Sequence, residues 1–204
     1  MAASVTIELP SGPIIAEPLD RMLHFCREEY AYYDALPPGA PDRVEPLDVL
    51  AVVSVNGFFN ANAATIRAVH RGLSAACDAL LRAIPQDADL LACDPSFPAV
   101  ATLLRAAVGV PRVLIPVTTK VLHRKRSNLI PILLGRLPPA TQDKTRAAGV
   151  AVEVLGRFRD DLAAVLSEVD SVVTELATAG FVLSPVRVLE VLLWTEVEER
   201  GYYR

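Results

Sequence analysis

Two groups of residues carry most of the chemistry this chain offers. The first is the run Lys120, His123, Arg124, Lys125 and Arg126. On a helix, positions 120, 123 and 124 share a face, so Lys120, His123 and Arg124 can converge on one anion. Arginine supplies forked donors and lysine a mobile point charge, which is the equipment of phosphate recognition. Like charges this close repel, and a bound polyanion relieves the repulsion. A solvated helix end would accommodate the same charges, because cations also offset the dipole of a C-terminus. The neighbourhood tips the balance toward an anion partner. No acidic residue occurs between Asp94 and Asp143, whereas seven of the twenty lysines and arginines lie there, although the whole chain has a net charge of −4. Just upstream, Val108-Gly109-Val110-Pro111-Arg112 has the form of a turn between two helices. Such a turn can offer glycine-allowed backbone N–H groups to a phosphate. Here Pro111 removes one donor, and a plain helix–helix turn explains the stretch equally well.

The second group is aromatic and acidic: Tyr30, Tyr32, Tyr33, Asp34, Asp48, Glu190 and Trp194. A carboxylate held among apolar groups has a raised pKa and can act as acid or base. The same carboxylate more often caps a helix or pairs with an arginine. His24, His70 and His123 share no ligand spacing, and Cys26, Cys77 and Cys93 form no C-x-x-C pair, so neither a metal nor a cofactor is expected. The cysteines read as small core residues. Nucleophile elbows, P-loops and dinucleotide fingerprints do not occur, which removes common hydrolases, P-loop enzymes and Rossmann dehydrogenases.

The elements that must position these groups read as helices. At 204 residues and 52% hydrophobic composition the chain can bury a sizeable core without staples. Residues 1–17 read as an extended lead-in, with Val5, Ile7 and Leu9 alternating and Pro10, Gly12 and Pro13 ending the strand. The pattern then predicts one helical domain over 18–204: a helix from about Pro18 to Tyr33, a rigid loop from Leu36 to Pro41, and a buried apolar helix from Pro46 to Phe59. The clearest helix carries Ile66, Val69, Leu73, Cys77, Leu80 and Leu81 at a 3.6-residue period and ends before Pro85. A short helix near Asp87–Cys93 follows, then one from Ser96 to Val108, the segment 112–126 with Pro116 near its start, and irregular chain with one short helix over 127–143. One long amphipathic helix carries the stripe from Phe158 through Val165 to Leu176, with Gly180 as its cap. Ser184-Pro185 opens the last helix, 185–199. The expected class is all-α: a compact orthogonal multi-helix bundle with a helix–hairpin–helix-like element.

Several stretches resemble an uncharacterised actinobacterial family of unknown function: Tyr32-Tyr33-Asp34, Pro41 to Val44 leading into Asp48, Leu81 to Leu90, Thr119 to Ile132, and Leu183 to Trp194. They touch most of the chain. The block Lys120-Val-Leu-His123-Arg124-Lys125-Arg126…Ile130-Pro131 is the most specific. It is also distantly similar to helix–hairpin–helix DNA glycosylases, in which the corresponding stretch runs into a Tyr-Asp pair. Here leucine stands where the acid would be. Those enzymes often place a lysine just after the hairpin; the nearest basic residue here, Arg112, stays protonated and cannot form a Schiff base. The resemblance implies the scaffold without glycosidic catalysis.

The leading expectation is therefore a protein binding DNA or another phosphate-rich anion through Gly109, Arg112, Lys120, His123, Arg124, Lys125 and Arg126. The alternative is a small-molecule enzyme or ligand-binding protein with a pocket of Tyr30, Tyr32, Tyr33, Asp34, Asp48, Glu190 and Trp194. A third is an interaction module or homo-oligomer joining regions of opposite charge. No signal peptide is read in MAASVTIELP and no run reaches the ~20 apolar residues of a membrane span, so the expected setting is the cytoplasm, with no membrane partner.

Overall fold

The computed structural model describes residues 6–55, 62–133 and 144–199. Val5, the end of the apolar run beyond Val55 and residues 134–143 lie outside them; of the stretch 127–143 expected to hold one short helix, residues 127–133 are not helical. Among the described residues there are eight α-helices and one two-stranded sheet, so the chain is all-α. The strands β1 (Thr6–Glu8) and β2 (Ile14–Ala16) pair antiparallel with Ile7 opposite Ile15. The lead-in is thus a hairpin rather than a single strand. Its Pro10-Ser11-Gly12-Pro13 tip is anchored from afar: the buried carboxylate of Asp161 accepts from the Ser11 N–H at 2.9 Å and from its hydroxyl at 2.7 Å.

Five helices begin with a proline in the first turn, where no N–H partner is needed: α1 (Pro18–Glu28), α2 (Pro46–Ser54), α4 (Pro98–Gly109), α5 (Ile115–His123) and α8 (Pro185–Glu199). The others are α3 (Ala63–Ala83), α6 (Lys144–Ala164) and α7 (Leu166–Thr178). One continuous apolar cluster runs from Ile7 to Leu193. Within it α4 packs against α3, α5 and α6, while α8 packs against α1 and α7.

Three departures from the sequence pattern have local causes. The first helix stops at Glu28 and Tyr30–Tyr32 form a 3₁₀ turn that aims Tyr33 inward. No helix forms over 87–93, because the Asp89 carboxylate takes the N–H groups of Leu91 and Ala92 at 2.7 and 3.2 Å, a local turn that competes with helix. The long amphipathic stripe is two helices broken at Val165 (φ −121°, ψ 21°), so that α6 serves α4 while α7 serves α8 and α1. The cap at Gly180 forms as expected: with φ 91° there, Phe181 and Gly180 donate to Leu176 and Ala177.

The α4–α5 connection differs from the hairpin expected to meet phosphate. Gly109 is the last residue of α4, and the left-handed residue is Arg112 at φ 65°. Within the turn, Val110 and Val113 donate their N–H groups to Ala107 and Val110.

Candidate functional site

The basic run is built from the last turn of α5 and the turn after it. None of Lys120, His123, Arg124, Lys125 and Arg126 is more than 8% exposed. Their heads point inward, and carbonyls receive most of their donors. Arg126 bonds Leu81 and Ile84 at the C-terminal end of α3 at 2.5 and 2.6 Å, with Pro41 at 2.7 Å. The guanidinium thus caps a helix whose last carbonyls have no helical partner. Arg124 reaches Tyr33 and Pro37 at 3.0 and 2.5 Å, and Lys125 reaches Pro38 at 2.7 Å. Prolines have no N–H and hold the 36–41 loop open, so its carbonyls depend on these distant cations. Gly39 sits among them at φ 65°, where a Cβ would lie 2.0 Å from the Glu45 carboxylate.

One carboxylate answers two of these cations. Asp48 Oδ1 accepts from Arg124 Nε at 3.0 Å, and Oδ2 from Lys125 Nζ at 2.5 Å and the Glu45 N–H at 2.7 Å. Its position in the first turn of α2 suits an acid. Desolvating such a set is costly, and the charges persist only because nearly every donor is met. The expectation that these side chains form a solvent-facing phosphate interface is corrected: they tie α3, α5 and the proline loop together.

His123 donates Nδ1–H to the Ile130 carbonyl at 2.7 Å and stacks on Tyr33. Burial first, then the Arg187 charge, depress its pKa to about 4. The ring is neutral at pH 7. Tyr33 is fully enclosed, donates to the Lys120 carbonyl and carries the guanidinium groups of Arg124 and Arg187 near its ring at 5.6 and 5.3 Å.

A second charge cluster is centred on Arg187 in α8. Its fork binds both Asp34 oxygens at 2.9 Å, its remaining terminal nitrogen contacts Glu190 one turn on, and its face lies 5.3 Å from the Phe25 ring. One guanidinium between two buried carboxylates leaves one under-compensated. Asp34 holds the bidentate geometry, so Glu190 is the one that suffers. Burial, opposed by Arg187 and reinforced by Asp34, pushes its carboxyl up to about 7. Across from it, burial lowers the Lys120 ammonium, against the pull of Glu190 and with help from Arg187. Lys120 Nζ donates to the Val55 carbonyl at 2.8 Å, and among the described residues no carboxylate reaches it within 4 Å.

Glu190 and Lys120 line a cleft of about 340 Å³ between α1, α5 and α8. Tyr32, Tyr33 and Trp194 form walls, with Phe25 edge-on to Trp194 at 6.3 Å. A second cleft, of about 470 Å³, lies on the other side of the Tyr33–Arg187 pair, which lines both. Of the expected pocket residues, Tyr32, Tyr33, Glu190 and Trp194 come together in the first cleft and Asp34 lines the second. Tyr30 and Asp48 line neither: Tyr30 braces the α7–α8 turn through Val182 and Phe181, and Asp48 belongs to the cation cluster. Lys120 enters the cleft from the group expected to meet phosphate. Gly109 and Arg112 lie apart from both clefts, Arg112 bonding Thr65 at 3.3 Å.

Arg187 is the residue the residue-by-residue reading missed. Its signal was an Arg-x-x-Glu pair at helical spacing inside an otherwise apolar helix. Burial raises the thiols of Cys26 and Cys77 to about 11 and about 12, which makes them inert core groups. Among the described residues no group of three or more histidines, cysteines or acids could hold a metal ion, and no helix is long and apolar enough to cross a membrane.

Residues 24–197 match a family of unknown function (DUF6308), and the chain belongs to that family. No curated protein and no solved structure matches it.

Proposed function

We propose that this member of the family binds a small molecule in the cleft between α1, α5 and α8, where Glu190 exchanges a proton with the ligand. The observation that carries the reading is Glu190 itself: a buried carboxyl held near pH 7, facing a lysine ammonium across an aromatic-walled cavity. An apolar cleft with a few convergent, perturbed polar groups is the usual form of a small-molecule site. Each part has a role to play in it. Tyr32 and Trp194 offer flat apolar surface, which favours a ring or planar portion of the ligand. Lys120 has ammonium hydrogens beyond the one given to Val55 and would fix a carbonyl, hydroxyl or anionic oxygen. A carboxyl titrating near the working pH suits general acid–base catalysis.

The cleft holds the chain's single tryptophan, which makes the test direct. Metabolites that raise the melting temperature are titrated against Trp194 fluorescence in the wild type and in Glu190→Gln. A saturable change in the wild type, weakened at least tenfold in the variant, supports the reading; stabilising ligands that leave Trp194 and Glu190→Gln unaffected refute it. A nucleic-acid partner would have to meet surfaces other than the heads of Lys125 and Arg126, which are buried and line neither cleft.

A further inference from the structure

The second cleft, across the Tyr33–Arg187 partition, has its own chemistry. Five cations are buried in this region (Lys120, Arg124, Lys125, Arg126 and Arg187), and Asp34, Asp42, Asp48 and Glu190 act on them. What an anion can engage is a buried cation whose donors are not all taken up. This cleft reaches one such cation, Arg124. Three nitrogens of Arg124 each have an acceptor, yet a guanidinium carries five N–H groups, so two remain. His123 lines the same cleft and is 4% exposed. Its Nδ1 is taken by Ile130, and among the described residues its Nε2 has no partner. A neutral ring of this tautomer accepts a hydrogen bond there, so its ligand must carry an O–H or N–H. Ser127, Asn128 and Ser184 add neutral polar groups at the rim.

We infer that this cleft binds the phosphate group of a small hydroxylated molecule. Arg124 donates to the phosphate oxygens, Asn128 borders them, and His123 Nε2 accepts from a hydroxyl, whose place the P–OH of inorganic phosphate can take. The Asp34 carboxylate, also in the lining, is occupied by the Arg187 fork and does not oppose the anion at close range.

The experiment titrates the full chain with inorganic phosphate, and separately with sulfate, at constant ionic strength. The readout is the backbone amide resonances of Ser127, Asn128 and Ser184, which line this cleft and not the first. Phosphate should shift them saturably. Sulfate has the same shape but no O–H at neutral pH, so it should bind more weakly. Asn128→Asp, at an exposed position that leaves folding unaffected, should weaken phosphate on the order of fivefold or more by like-charge repulsion. No saturable shift with phosphate, equal binding of sulfate, or an Asn128→Asp variant that binds as the wild type does would each overturn the assignment. A negative result here leaves the Trp194 cleft untouched, because that site is read by fluorescence.

Discussion

Asp48 and Glu190 are both buried acids beside buried arginines, yet they sit in opposite situations. Around Asp48, one carboxylate answers two cations, and its oxygens also receive a backbone N–H. Around Arg187, one cation answers two carboxylates, and the less well held of them, Glu190, opens onto a cleft. The first arrangement commits both oxygens of its carboxylate inside the protein. The second retains a group that can change protonation near neutral pH. A dense run of charge therefore says little by itself about function: what matters is whether its donors are already matched.

The contrast is broken most severely at Asp48. In Asp48→Asn two buried cations lose their carboxylate, and chemical denaturation should show a loss of about 3–5 kcal/mol, a large part of a typical domain's stability. Glu190→Gln should be far milder, within about 1 kcal/mol of wild type at pH 8, because it removes a carboxylate that burial disfavours while Arg187 keeps Asp34. If the two variants cost the same, the distinction between the clusters fails.

The pH dependence sharpens the comparison. The Glu190 pKa is raised from 4.5 to about 7 on folding, so its contribution is complete below 4.5 and is lost as pH rises toward 7. His123 is lowered from 6.5 to about 4, so its contribution is present above 6.5 and is lost as pH falls toward 4. Between 4.5 and 6.5 the two slopes have opposite signs and about equal size. The wild type should show a nearly flat contribution from this pair, whereas Glu190→Gln should lose stability by about 1.4 kcal/mol per pH unit on acidification. Identical pH profiles for the two proteins would contradict this.

The smallest expected effect concerns the α4–α5 turn. Gly109 is helical and exposed, and a Cβ there meets nothing within 4 Å. Gly109→Ala should therefore stabilise the protein by about 0.5–1 kcal/mol and leave ligand binding unchanged. A loss of binding would restore the hairpin to a functional role.

Much of the fold was legible because apolar spacing and proline or glycine punctuation act locally. Leu73, Cys77 and Leu81 mark α3, and Ser184-Pro185 marks the start of α8. The break at Val165 was not legible, since the apolar stripe continues through it and only the different packing partners of α6 and α7 require the bend. The location of the cations was legible too, but not their direction. Which way Arg124, Lys125 and Arg126 face is decided by carbonyls of Pro37, Pro38 and Pro41, more than eighty positions away. No periodicity encodes that contact. Four of the eleven residues lining the cleft were read from residue types (Tyr32, Tyr33, Glu190, Trp194), while Lys120 and Arg187 join it only because the fold brings α5 and α8 to Tyr33.

The most direct test is a pH titration of the Glu190 side-chain carboxyl by carbon-13 NMR on the full chain. The account predicts a midpoint near 7, as burial and the shared guanidinium require, moved by any small molecule that enters the Trp194 cleft. A midpoint near the ordinary 4.5 would contradict it, for Glu190 would then be a satisfied salt-bridge partner like Asp48 and the cleft would have lost its proton-exchanging group.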